Sequence, residues 1–184
     1  MMRGVVESPV IECGFPFDTA LLSWNASSPR GSYVVCYMQA RAGGIWSRWI
    51  KQALWTRESS VWERTTFPKE KDSIAYCNTS QMGLSKKADA IRIRIHLETA
   101  DGHTYPSLHF LGIQMSDSRL CRVDAEPVKA AWGKDLDVPI LSQLSVPHGS
   151  VWCSPTSVAM VLRYWGEKLH RPDLTGIGIT EAAH

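Results

Sequence analysis

The sequence predicts a mainly β N-terminal domain, sandwich-like or jelly-roll-like, over residues 1–116, then a connector over 117–134 and a helical segment within 135–184. Three observations lead there. Strand-type alternation recurs as far as about residue 116 with no helical period between the runs. Turn signals separate those runs, Gly43-Gly44 and Asp101-Gly102 among them. A helix-type apolar period sets in only after Cys153. Many short strands without intervening helices are the pattern of a sandwich or a jelly roll.

In chain order, Met1 to Pro9 holds a charge but no apolar run of signal-peptide length. Tyr33 to Arg41 is rich in β-formers and meets Ile45 to Ile50 across Ala42-Gly43-Gly44, a hairpin. Ile91, Ile93, Ile95 and Leu97 alternate with Arg92, Arg94, His96 and Glu98, which makes a half-buried strand with one wet face. Asp101-Gly102 turns the chain, and Leu108 to Met115 reads as the strand that returns. Trp24, Trp46, Trp49, Trp55 and Trp62, five of the eight tryptophans, fall in this region. Trp46 and Trp49 lie three apart, so on a regular strand they face opposite sides, and one of them is expected to be exposed as a ligand contact. Ser116 to Lys134 has no sustained period and carries Glu126-Pro127 and Gly133, which marks a connector.

Beyond it, Ser154 is a suitable N-cap and Pro155 suits the first helical position. Val158, Val161, Leu162 and Trp165 recur at helical spacing until Gly166, which is expected to stop the helix. Cys153 then stands at the mouth of that helix, where backbone N–H groups and the positive end of the dipole favour the thiolate, the nucleophilic form. Gln143 upstream carries an amide suited to an oxyanion. A cysteine nucleophile also needs a base. His170 follows the helix and His184 ends the sequence, and neither is placed to serve; His148 lies in a Pro-Gly loop between Gln143 and Cys153. Arg171 to Ile179 reads as a loop, and Thr180 to His184 as one capped helical turn.

Val138-Pro139-Ile140-Leu141-Ser142-Gln143, together with the run from Val151-Trp152-Cys153-Ser154-Pro155-Thr156 to Gly166, resembles the bacteriocin-processing, C-thirty-nine-like family of papain-fold cysteine peptidases. More weakly, Cys13-Gly14-Phe15-Pro16-Phe17-Asp18 and Leu22-Ser23-Trp24-Asn25 are similar to the β-rich domain that precedes the peptidase domain in some bacterial members. The resemblance implies that residues 135–184 form the N-terminal helical part of an α+β papain-like peptidase domain. It also implies that Cys153 is the nucleophile, that Gln143 is the oxyanion-hole glutamine, and that the substrate is a peptide or protein. The family's histidine and its Asp or Asn partner have no counterpart, so the sequence is expected to be truncated within that domain and inactive by itself.

Composition narrows the alternatives. A net charge of +2 is too small to argue for nucleic acid or an anionic membrane. Cys13, Cys36, Cys77, Cys121 and Cys153 show no metal-type spacing, so neither a metal nor a cofactor is expected. No apolar stretch reaches membrane-spanning length. Reduced thiols and no evident leader fit a cytoplasmic location, although a longer form would still be compatible with secretion. A second reading is a carbohydrate- or peptide-binding module that uses Trp46 and Trp49 and has no catalytic role.

Overall fold

The structure is a computed structural model that describes residues 2–58, 63–79, 81–120, 126–147 and 149–182. Trp62, Cys121, His148 and His184 lie outside the described residues. The chain divides into two compact units, Met1–Val123 and Asp124–His184.

The first unit is β-rich and antiparallel. Its described strands are β1 (Met2–Glu7), β2 (Ile11–Ser27), β3 (Ser32–Ala42), β4 (Ile45–Trp46), β5 (Ile50–Trp55), β6 (Thr65–Thr66), β7 (Ala75–Asn78), β8 (Gln81–Thr99) and β9 (Ser107–Ser116). They join one nine-stranded sheet whose main path runs β6-β5-β3-β8-β2-β9, with β1 and β7 also on β8 and β4 on β3. Two long strands, β2 and β8, join its parts. The C-terminal half of β8, from Ala90 to Thr99, pairs with β3, while its N-terminal end pairs with β7 and β2. The β2 ladder breaks between Glu12 and Phe17 and again before Thr19. Pro16 has no N–H to give there, and Gly14 adds no side chain to hold the pleat. Both arms contribute to one core: Phe17, Ala20 and Leu22 from β2, Met82 and Leu84 from the start of β8, Cys36 and Met38 from β3, and Ile91, Ile93 and Ile95 from the end of β8.

The local expectations for this unit hold at several points. Gly43 and Gly44 both adopt positive φ, 59° and 78°, the two-residue turn that joins β3 to β4 with Ala42 opposite Ile45. Ile91, Ile93 and Ile95 are buried as the alternation requires. The opposite face is less wet than expected, because Arg92, Arg94 and His96 are half-buried and Glu98 is buried.

Two expectations are corrected. The strand after Asp101-Gly102 does not return along β8: β9 pairs with β2, Thr19 opposite Ser116 through Ser27 opposite Ser107. Both edges of β8 from Arg94 to Thr99 are already taken, by β3 and by β1, so β9 has no edge to join there. Trp46 and Trp49 also fail to face opposite ways. The strand is interrupted after Trp46, where Ser47 donates its N–H to Ala40 O, and that break resets the alternation. Both indoles then meet the same guanidinium, that of Arg92.

The second unit holds 3-10 turns at Gln143–Ser145 and Gly149–Val151, then helices α1 (Cys153–Lys168), α2 (Pro172–Thr175) and α3 (Ile179–Ala182). Helix α2 corrects the loop expected over 171–179, and Pro172 sits at its start, where a missing N–H costs nothing. Gly166 does not stop α1. It is buried inside the helix, where a Cβ would lie 2.7 Å from Thr175 N and 2.9 Å from Leu174 Cβ, so its bareness admits α2. The stop comes four residues later. His170, at φ 52°, donates its N–H to Glu167 O while Arg171 donates to Gly166 O, the paired bonds that end a helix in a left-handed residue. No helix among the described residues is long and apolar enough to cross a membrane.

Candidate functional site

Cys153 is the first residue of α1 and its thiol is exposed. The N-cap is Trp152, not Ser154, and no side chain caps the helix. The start is displaced because Thr156 closes on Trp152: its N–H and its hydroxyl both donate to Trp152 O, at 3.1 Å and 2.8 Å. Pro155 therefore occupies the third helical position, still among the first-turn residues whose N–H has no intrahelical acceptor. The shift places Cys153 and Ser154 as the two first-turn residues with N–H groups aimed out of the helix. No acidic side chain lies in that turn.

Gln143 reaches the approach to this helix. Ser142 Oγ accepts the Leu144 N–H and starts the 3-10 turn. The Gln143 amide Nε2 then donates to Gly149 O at 2.9 Å, across the bend to the second 3-10 turn. Gly149 O also accepts the Trp152 N–H at 3.0 Å, so one carbonyl ties the glutamine to the residue before Cys153. The backbone of Gln143 lies so close to Gly149 that a Cβ there would come within 2.7 Å of the Gln143 carbonyl carbon and nearer still to its oxygen. Gly149 is therefore part of the site, and sequence reasoning missed it. A glycine in a Pro-His-Gly-Ser stretch reads as an ordinary turn residue until the opposing backbone is known. One N–H of the Gln143 amide is spent on this anchor, and the same nitrogen carries a second.

His170 is not brought to Cys153. Helix α1 separates them along its length, roughly 24 Å for its 16 residues. It is the one histidine among the described residues of this unit. What the arrangement offers is an exposed thiol at a helix start, with an anchored amide on the preceding loop. The thiol of Cys36 is a contrast: burial at the centre of the β core pushes it up to about 12.

Trp46 and Trp49 lie in the first unit on the polar face of the sheet, both half-buried. The Arg94 guanidinium stands 4.0 Å from the Trp49 ring centre and that of Arg92 5.5 Å, while Arg41 lies 5.6 Å from the Trp46 ring. Glu7 pairs with both Arg92 and Arg94, and Glu12 and Asp89 pair with Arg41. The indole faces thus already meet cations held by carboxylates. Beside them, Glu98 accepts the Tyr33 hydroxyl at 2.6 Å and Arg3 Nε at 3.0 Å. His96 lies against Tyr37 with ring centres 4.6 Å apart and planes tilted by 46°. Burial first, then the Arg3 charge, depresses the His96 imidazole below its ordinary value.

The family model described as Peptidase C39 N-terminal domain matches residues 2–116. A second, described as Peptidase_C39 like family, matches residues 135–177, the stretch that contains Gln143, Gly149 and Cys153. Comparison with the curated proteins and with the solved structures gives no match.

Proposed function

The chain belongs to the Peptidase C39 N-terminal domain family, and from that premise we propose that it serves cysteine-dependent cleavage of peptide bonds, with Cys153 as nucleophile and Gln143 as oxyanion donor. The observation that carries the reading is the exposed Cys153 thiol at the start of α1 with the Gln143 amide anchored on Gly149 just ahead of it. On this reading residues 135–184 form part of a papain-like cysteine peptidase domain, and residues 1–116 a β-sandwich-like domain joined through 117–134.

The thiolate attacks the scissile carbonyl, and a C–S bond forms as the carbonyl π pair moves onto oxygen. The second Nε2–H of Gln143 and the Cys153 backbone N–H stabilise that oxyanion, which is where preorganised donors lower a barrier most. Collapse expels the amine once it has been protonated, and water then releases the acyl group from sulfur. A base is required for both halves, and His170, the one histidine of this unit among the described residues, is too far along α1 to supply it. Turnover by this chain alone is therefore expected to be very slow, while acylation by a reactive ester is expected to proceed.

The test is acylation of the folded chain by p-nitrophenyl acetate, with the modified residue located by mass spectrometry. Cys153 should be acetylated, and Gln143→Ala should slow that step by about a hundredfold, the usual size for one oxyanion donor. Alkylation by iodoacetamide passes through no oxyanion and should be unchanged by the same substitution. Equal acetylation rates with and without Gln143 would remove the oxyanion role.

A further inference from the structure

Strand β2 outruns its neighbour. β8 begins at Gln81, which lies opposite Leu21, whereas β2 continues to Ser27. On its other side β2 remains paired with β9 all the way, Leu22 opposite Ile113 and Ser27 opposite Ser107. Alternate residues from Leu22 to Ser27 therefore turn their N–H and C=O groups toward a side on which no described strand lies. No backbone hydrogen bond from a turn or loop among the described residues fills that side.

That side, on which no described strand lies, borders a shallow depression. The depression, of about 460 Å³, is lined by Leu22, Ser23, Trp24, Asn25 and Ala26, with Trp55 as a further wall. Five consecutive residues of one strand line it, although their side chains alternate between the two faces of the sheet. What borders the depression is thus the strand's edge. Its lining is apolar where Leu22, Trp24 and Trp55 contribute.

Open edges are normally guarded by lysine, proline or brevity. β1 carries Arg3 and Glu7 and β6 is two residues long, while β9 ends the sheet with a second uncharged outer edge, Ser107–Ser116, so the depression is what singles out β2. Leu22-Ser23-Trp24-Asn25-Ala26-Ser27 has no charge and no proline. A row of alternating donors and acceptors at strand spacing is matched by another extended polypeptide backbone, while sugars and lipids offer no such repeat.

We propose that this slot receives an extended segment of polypeptide as an added strand on β2, in line with β8, with alternate side chains against Trp24 and Trp55. The segment belongs to the polypeptide that the peptidase unit acts on; that source rests on the peptidase reading, whereas the slot and its strand-shaped occupant do not. The β unit would then contribute a substrate-binding site of its own.

The probe is a fluorescein-labelled heptapeptide of alternating Thr and Val, flanked by Ser, with blocked ends, added to the intact chain and followed by polarisation and by amide hydrogen exchange. Saturable binding is expected, with slowed exchange across Leu22–Ser27. A peptide N-methylated at every amide should bind about thirtyfold more weakly, the loss of two to three backbone hydrogen bonds. Trp55→Ala should weaken binding at least fivefold; because Trp55 also packs against the core, its folding is checked by exchange in β8, and the methylated peptide decides the matter without altering the protein. Absence of saturable binding, equal binding of the methylated peptide, or protection on β9 instead of Leu22–Ser27 would overturn the proposal. So would sedimentation showing that a second copy of the chain already fills the edge. If strand addition occurs while Cys153 fails to be acylated, the slot stands and the source of its occupant is wrong.

Discussion

Gly149→Ala tests the anchor on which the candidate site is built. A Cβ at this position would lie 2.7 Å from the Gln143 carbonyl carbon and 3.4 Å from Leu144 Cα, with the Gln143 oxygen closer still. These are backbone atoms, so no rotamer change relieves the overlap, and the two 3-10 turns must separate. Overpacking of this kind costs about 1–3 kcal/mol. The turns cannot separate without stretching the bond from Gln143 Nε2 to Gly149 O, worth about 1 kcal/mol. A loss of about 2–4 kcal/mol is therefore expected, confined to the unit Asp124–His184. Amide hydrogen exchange by mass spectrometry reads it directly: exchange over Gln143–Trp152 and the first turn of α1 should accelerate about thirtyfold or more, while β8 stays as it was. Acetylation of Cys153 should slow in step, since an unanchored Gln143 no longer presents its second N–H. Gly14→Ala is the control, because a Cβ there meets nothing within 4 Å and φ is not positive. Unchanged exchange around Gln143 in Gly149→Ala would refute the close approach, and equal acceleration in β8 would refute its confinement to this unit.

Partial labelling with iodoacetamide at pH 7.5 should mark Cys153 at least a hundredfold faster than Cys36, because the Cys36 thiol is buried and pushed up to about 12 while Cys153 is exposed; comparable rates by mass spectrometry would contradict the exposure of Cys153 or the burial of Cys36. Gly166→Ala should destabilise α1 and α2 by about 1 kcal/mol, although alanine is the better helix former, since its Cβ would press on Thr175 and Leu174; a gain in stability on chemical denaturation would show that α2 does not pack there. The depressed His96 imidazole stays neutral when folded while the unfolded chain takes up a proton, so its contribution is fully present above about pH 6.5 and is lost as pH falls from there toward the folded value. Denaturation midpoints between pH 7 and 5 should accordingly fall less in His96→Phe than in the parent, and parallel curves would remove this origin of the pH dependence.

Much of the local structure was legible in the residues. The Gly43-Gly44 turn, the buried run Ile91, Ile93 and Ile95, and a helix beginning beside Cys153 each follow from sterics or periodicity within a few neighbours. The pairing of Cys153 with Gln143 as candidates was likewise readable, because the helix mouth and the amide lie ten residues apart on one stretch of chain. Alternation, however, records which face of a strand is buried and carries no label for the strand alongside. That β9 joins β2 was therefore decided by occupancy: β1 and β3 had filled the edges of β8. Trp46 and Trp49 came to the same guanidinium because a break at Ser47, stabilised by Ala40 on another part of the chain, undid the local parity. Gly149 and Gly166 looked like a turn and a stop. Their actual role, admitting the Gln143 backbone and helix α2, exists only once distant atoms arrive within van der Waals range, and close packing between segments is the interaction that a pattern of neighbours along one chain does not encode.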